Sequence, residues 1–287
     1  MKIINNSKES RTLINIIGLP TLLFVFYVGG ILFNLFVYLV IVLAIKEFND
    51  LMKHKNYSLN SIILYCVLIF IAIYQYCNME YLMNSMTNSL FLSIIFLVGS
   101  IIISICEIFR FKENPVENIA ISIFALFWFV VLFSNLVYIS ELSFTFTLCM
   151  FLSVWSCDTA AFFFGLKFGD KKILPSISPN KTWVGSIAGL ISSILFVQLL
   201  YQINPFHPFN GFYYYGITKV ECLIMGIIFG GISQLGDFFE SMIKREIGVK
   251  DSGTILRGHG GVLDRFDSLF FVVPFFYIFL IWCGLYG

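Results

Sequence analysis

Charge is what this sequence has least of. Only 12% of its 287 residues are Asp, Glu, Lys or Arg, and 17 acidic residues nearly cancel 18 basic ones. A soluble domain carries about 25% charged residues. The net charge of +1 leaves no chain-wide basic surface, which excludes nucleic acid as a partner. Histidine is rarer still, at three residues. The cysteines (Cys66, Cys77, Cys106, Cys149, Cys157, Cys222 and Cys283) form no CxxC pair, and most lie inside apolar runs. That argues against a disulfide framework or a structural zinc and leaves them as small buried hydrophobes. No GxxxxGK[ST] phosphate loop is present, so ordinary P-loop chemistry is absent. There is no internal repeat and no low-complexity linker. The first twelve residues are polar and mildly basic, and no small-residue cleavage site follows the first apolar run. That run therefore reads as a retained anchor and not as a signal peptide.

What the chain has in abundance is apolar surface. It is 59% hydrophobic and 18% aromatic, with mean hydropathy +0.89. This composition implies an all-α polytopic membrane protein. A span needs roughly 20 apolar residues, within a range of about 17–25. Candidates run over Leu13–Tyr27, Ile31–Ile45, Ile62–Cys77, Leu90–Phe109, Ile119–Tyr138, Phe144–Leu166, Trp183–Ile203, Ile217–Leu235 and Ser268–Tyr286. Gly29-Gly30 splits the first two, each near the short limit, and a single re-entrant pair is the alternative there. About nine spans result. With the N-terminus in the cytoplasm, every Lys and Arg except Lys219 falls on the cytoplasmic side. The positive-inside rule expects that one-sided pattern, and it places the C-terminus on the opposite side. Asn204–Gly216, rich in Phe and Tyr, reads as an interfacial aromatic belt. The expected organisation is an N-terminal transmembrane region, 1–140, and a C-terminal catalytic region, 141–287. The second region carries cytoplasmic loops at 167–182 and 236–267.

The few polar residues are concentrated. Asp158 lies within an apolar run, where a carboxylate costs about 2.5–3.5 kcal/mol on insertion scales and so faces a polar cavity or partner. Downstream, Ser178-Pro179-Asn180-Lys181-Thr182 precedes the next span. Pro179 near a first turn and Ser178 as N-cap suit a helix start, and free N–H groups at such a start favour phosphate. Lys181 adds a point charge. The densest stretch is Gly236–Asp267. Asp237, Glu240 and Ser241 share one helical face at i, i+3, i+4, although Glu240 and Lys244 also suit a simple i,i+4 pair. Asp264 and Asp267 open the last span one turn apart. Three aspartates at the ends of two neighbouring helices can form a hard-cation site. Between them Gly253, Gly258, Gly260 and Gly261 allow close backbone approach to a ligand. Lys244, Arg245, Lys250 and Arg265 supply positive charge.

The run Ser241, Lys244-Arg245, Lys250-Asp251, His259-Gly260-Gly261, Asp264-Arg265-Phe266-Asp267 resembles the signature of the phosphatidate cytidylyltransferases (CDP-diacylglycerol synthases). Gly236-Asp237 with Glu240-Ser241 resembles a second stretch of that family. Asp158 and Ser178-Pro179-x-Lys181-Thr182 resemble two further motifs. The likeness covers roughly the C-terminal half; the N-terminal spans match only in hydrophobic character. Two positions depart from the family pattern: Arg257 stands where Pro is usual, and Val184 where Glu is usual.

The resemblance implies transfer of CMP from CTP to phosphatidate, yielding CDP-diacylglycerol and pyrophosphate, and the lack of an Arg-rich, amphipathic presequence points to a bacterial inner membrane. The resemblance also implies a homodimer and magnesium, with room for a second cation. Asp237, Asp264 and Asp267, with Lys244 and Arg245, are the expected catalytic residues. Asp237, Asp264, Asp267 and Asp158 are the expected metal ligands. Lys181, Thr182, Ser178, Ser241, His259, Gly260, Gly261, Arg265 and Lys250 are the expected substrate contacts. Two other readings stay open at this point. A CTP-dependent lipid-alcohol kinase resembles the same region. A transporter would suit Asp158 and the glycine breaks, although the charged groups gather at one membrane face and no inverted repeat is visible.

Overall fold

A computed structural model of the chain describes residues 20–78, 85–110, 112–203, 211–253 and 260–285. Among the described residues there is no β-strand; one antiparallel bridge joins Lys172 and Thr182. Seven helical stretches are long and apolar enough to cross a bilayer. They are Gly30–Lys53, Asn88–Arg110, Pro115–Leu142, Phe144–Phe168, Trp183–Ile203, Lys219–Ile247 and Leu263–Trp282. Ser61–Cys77 is apolar but only 17 residues long. The candidate Leu13–Tyr27 lies partly outside the described residues, of which 20–28 are helical. The protein is an all-helical, multi-pass membrane protein. Its chain divides into two compact units. One takes the chain up to Tyr138 together with Ile247–Phe266, and the other takes Ile139–Glu246 and Asp267–Leu285.

The first unit holds helices α1 (Gly30–Lys53), α2 (Ser61–Cys77), α3 (Ser85–Arg110) and α4 (Pro115–Ala125). Gly29 and Gly30 both have positive φ, 62° and 50°, which glycine adopts without a Cβ penalty, and they break the chain before α1. Val37, Ile41, Ala44 and Ile45 of α1 pack in its core with Leu64, Ile71 and Val130. After α4 the helix widens into a π-helical segment, Leu126–Leu132. A buried polar network also holds this unit. Both oxygens of Glu107 are used: Asn60 Nδ2 donates at 3.0 Å to one and Asn118 Nδ2 at 2.9 Å to the other. Arg110 pairs with Glu107 at 3.4 Å and donates to Asn60 Oδ1 and Ser58 Oγ. A buried charge is costly unless it is paired and hydrogen-bonded in this way.

The second unit holds α5 from Ile139 onward (the helix runs Asn135–Leu142), α6 (Phe144–Phe168), α7 (Trp183–Ile203), the short α8 (Gly211–Tyr214), α9 (Lys219–Ile227) and α10 (Ser233–Ile247). It also holds α11 (Leu263–Trp282) from Asp267 onward. A second π-helical segment, Ile228–Ile232, joins α9 to α10. α7 buries a stripe of small residues, Gly185, Gly189 and Ser193, and exposes the large Ile187, Ile191 and Leu195. Small residues let helices approach closely where lipid gives no hydrophobic drive. A Cβ on Gly185 would stand 2.6 Å from the Ala161 carbonyl oxygen, so α6 and α7 cross at contact distance only because it is absent.

Two expectations about local structure are corrected. Ser178 does not cap α7. The helix begins at Trp183, after the Lys172–Thr182 bridge, and Thr182 Oγ1 accepts from the Gly185 N–H at 3.2 Å. The aromatic belt is also not uniform. Phe212 is fully buried against Phe146, with centroids 5.6 Å apart, whereas Tyr213 and Tyr214 are exposed. Residues 204–210, including Phe206 and Phe209, lie outside the described set.

Candidate active site

In the second unit the polar residues of three helices and one loop gather into a charged cluster. Lys181 sits just ahead of α7 and forms an ion pair with Asp237 of α10. Its ammonium also lies 4.2 Å from the centre of the Phe238 ring, a cation–π distance. Both partners remain part-exposed, at 25% and 33% of their side-chain surface. Asp237 Oδ1 also accepts from Ser241 Oγ at 3.4 Å. Asp158 of α6 is not covered by protein, and it acts electrostatically on both Asp237 and Lys181. Asp267 is within electrostatic reach of Asp237, Glu240 and Asp158. A Cβ on Gly236 would stand 2.6 Å from the Asp267 carbonyl oxygen. Glycine at that position is what lets the turn bearing Asp237 lie against the turn bearing Asp267.

One turn further along α10, buried Glu240 and Lys244 form an i,i+4 ion pair at 2.5 Å. Arg245 is exposed, and its Nε donates to the Ile177 carbonyl at 3.2 Å, tying α10 to the loop before α7. Ser178 is half-buried in that loop, and Thr182 is buried beneath it as the α7 cap. Asp158, Asp237, Glu240 and Asp267 thus outnumber Lys181, Lys244 and the exposed Arg245, so negative charge is in excess. Oxygen-only donors in excess of cations suit a hard metal ion. No group of three or more His, Cys, Asp or Glu among the described residues is assembled closely enough to cage a metal alone. Magnesium does not require one, because it is commonly held by one or two carboxylates plus waters and substrate phosphate.

The signature loop of the first unit is built differently. Asp264 opens α11 and turns its carboxylate back onto the loop. Its Oδ2 accepts from the Ser252 N–H at 2.9 Å, Ser252 Oγ at 2.9 Å and the Gly261 N–H at 2.7 Å. A carboxylate oxygen offers about two lone pairs, so this oxygen is fully used. Gly260 has φ +81°, and a Cβ there would meet Asp264 Oδ2 at 2.5 Å. Its backbone conformation and the space around it both demand glycine. Lys250 and Arg265 are exposed. His259, with Arg257 and Gly258, lies outside the described residues.

One residue of this loop's surroundings escapes the sequence reading. Glu47 of α1, only 2% exposed, accepts from the Leu263 N–H at 2.9 Å and from Ser252 Oγ at 3.4 Å. Gly253 and Gly261, expected to make room for a ligand, make room for this carboxylate. A Cβ on either would come within 2.7 Å of its oxygens. A signal for Glu47 exists in the sequence: Ala44, Glu47, Phe48 and Leu51 are spaced as one buried helical stripe, with a carboxylate in the middle.

A family model described as the cytidylyltransferase family matches residues 9–283, almost the whole chain. The chain belongs to the cytidylyltransferase family. It is 36% identical over 271 residues to a phosphatidate cytidylyltransferase of Staphylococcus saprophyticus, covering 94% of this chain and 98% of that one. A phosphatidate cytidylyltransferase of Bacillus subtilis is 33% identical over 275 residues, covering 95% and 97%. One from Staphylococcus aureus is 35% identical over 273 residues, covering 94% and 98%. Cytidylyltransferase-family similarity therefore reaches well beyond the C-terminal half in which its motifs are visible. It takes in α1, the helix that carries Glu47.

Proposed function

We propose that this protein transfers CMP from CTP to phosphatidate, producing CDP-diacylglycerol and pyrophosphate for phospholipid synthesis. The observation that carries this reading is the near full-length similarity to phosphatidate cytidylyltransferases. The part-exposed charged cluster around Lys181 and Asp237 supplies the chemistry.

A phosphatidate oxygen attacks the α-phosphorus of CTP. The new P–O bond forms as the bond to the bridging oxygen of the leaving pyrophosphate breaks. The nucleophile is already ionised near neutral pH, so no general base is required. Two polyanions must meet, which makes charge neutralisation the main catalytic task. Lys181, at the N-terminus of α7, exchanges its Asp237 partner for a nucleotide phosphate. Arg245, bonded to the Ile177 carbonyl in the loop before α7, and Lys244 add positive charge to that phosphate path. Asp237 and Asp267 are the carboxylates we assign to magnesium, which would polarise the α-phosphoryl oxygen and steady the leaving group. Asp158 lies within electrostatic reach of both Asp237 and Lys181 and is the donor for any second cation. Asp264, its Oδ2 filled by loop donors, shapes the signature loop.

The same reading includes nine spans: the seven long apolar helices, Ser61–Cys77 and the segment before Gly29. It puts the N-terminus in the cytoplasm and the C-terminus outside, in a bacterial inner membrane, as a homodimer. The one-sided distribution of Lys and Arg supports the orientation.

The test uses purified protein in detergent with magnesium, phosphatidate and α-labelled CTP. Label entering the lipid with equal pyrophosphate release is the expected result. CDP formed without labelled lipid would mean a lipid-alcohol kinase and would overturn the proposal.

A further inference from the structure

Glu47 lies outside every motif, yet the signature loop is folded onto it. The Ser252, Gly261 and Leu263 amides each donate to a carboxylate, the first two to Asp264 and the third to Glu47. Ser252 Oγ stands between the two acids, 2.9 Å from Asp264 and 3.4 Å from Glu47. It has one proton and serves one acid at a time. Two glycines keep space open against Glu47 that any side chain would fill. Its second oxygen, Oε1, is buried with no hydrogen-bond partner among the described residues. Burying a carboxylate on such terms is costly, and for stability alone an apolar residue of similar size would serve α1 at least as well. What an apolar residue could not do is accept from the Leu263 amide and fix the first turn of α11.

We propose that Glu47 is a positioning residue: it sets the first turn of α11, and with it the orientation of Asp264 and the chain leading into Asp267. The proposal rests on the cytidylyltransferase reading for its catalytic consequence and on geometry alone for its structural one. α1 thereby holds the signature loop and is not only a membrane anchor.

The experiment compares the full-length wild type with Glu47→Ala, Glu47→Gln and, as a control, Glu107→Gln, which disturbs a buried acid elsewhere in the same unit. Amide hydrogen exchange is followed over peptides spanning 260–266. In the same preparations kcat and the magnesium concentration for half-maximal rate are measured. Glu47→Ala is expected to raise exchange in that segment, lower kcat by about tenfold or more and shift the magnesium midpoint upward. Glu47→Gln keeps an acceptor for the Leu263 amide and is expected to recover most of kcat. Glu107→Gln is expected to leave both the segment's exchange and the magnesium midpoint unchanged. The proposal is overturned if Glu47→Ala leaves exchange in 260–266 unchanged. It is equally overturned if Glu47→Ala and Glu107→Gln lower activity alike at an unmoved magnesium midpoint, since that is general destabilisation. A wild type that labels no lipid would refute the cytidylyl-transfer reading, and the exchange comparison would still decide whether Glu47 holds the loop.

Discussion

Asp237 of the second unit is partnered by a movable lysine, whereas Asp264 and Glu47 of the first unit are partnered by backbone amides and a serine hydroxyl. Asp237 is held by the tip of a flexible lysine and remains part-exposed, with Asp158 and Asp267 nearby and too few cations to balance them. Asp264, Glu47 and Glu107 are held by the Ser252 and Leu263 amides, Asn60 and Asn118. An ion pair with a long side chain exchanges cheaply for a charged ligand. A carboxylate that closes a loop by backbone bonds does not, because releasing it strands buried amides. Under the proposed function, this difference sets Asp237, assigned to bind, apart from carboxylates that hold a loop.

Four substitutions press on that contrast. The largest effect is expected from Asp237→Asn, a loss of turnover of about 10³-fold or more with membrane insertion intact, read by label transfer to lipid. Full activity would remove Asp237 from the binding side of the comparison. Next is Glu107→Leu, which leaves part-exposed Arg110 without its acid and the buried Asn60 and Asn118 amides without an acceptor. It should lower stability by about 3–5 kcal/mol, measured by thermal unfolding, while the folded fraction keeps its kcat. Lys181→Ala is expected to reduce kcat/KM for CTP by about 10²-fold with little change in melting temperature. Should it destabilise instead, the Lys181–Asp237 pair belongs with the fixed contacts. The smallest effect is expected from Thr182→Ala, about 1 kcal/mol of stability from loss of the α7 cap. A rise in KM for CTP in that variant would make Thr182 a substrate contact as well.

The sequence reading reached the membrane class and the boundaries of α7 because both are written in local hydropathy, and the signature because its residues resemble a known family pattern. It placed the eighth span at Ile217–Leu235, whereas the helical stretch runs over Lys219–Ile247. Hydropathy falls at Leu235, but backbone helicity continues through Asp237, Glu240 and Lys244, a polar continuation that a hydropathy window cannot follow. The i,i+4 pair of Glu240 and Lys244 was legible for the same reason that helical spacing is legible. The Lys181–Asp237 pair and the Glu47–Leu263 contact were not, because 56 and 216 residues separate the partners along the chain. Ser178 was misjudged as a cap because a Ser before a Pro carries the local signature of a helix start. The Lys172–Thr182 bridge, a pairing across a loop, defers that start to Trp183.

The π-helical segment Ile228–Ile232 sets the azimuth of everything after it. A π turn holds one residue more than the α turn it replaces, and each residue of an α-helix advances about 100° around the axis. The Gly230 carbonyl there accepts from Gln234 Nε2 at 2.8 Å and from Ser233 Oγ at 3.3 Å, just where α10 begins. Deleting a single residue within Ile228–Ile232 would restore ordinary winding and leave the composition of the span almost untouched. It would also spin Asp237, Glu240, Ser241 and Lys244 together by about 100°. The angular phase of the charged cluster is thus encoded by a stretch with no polar side chain at all.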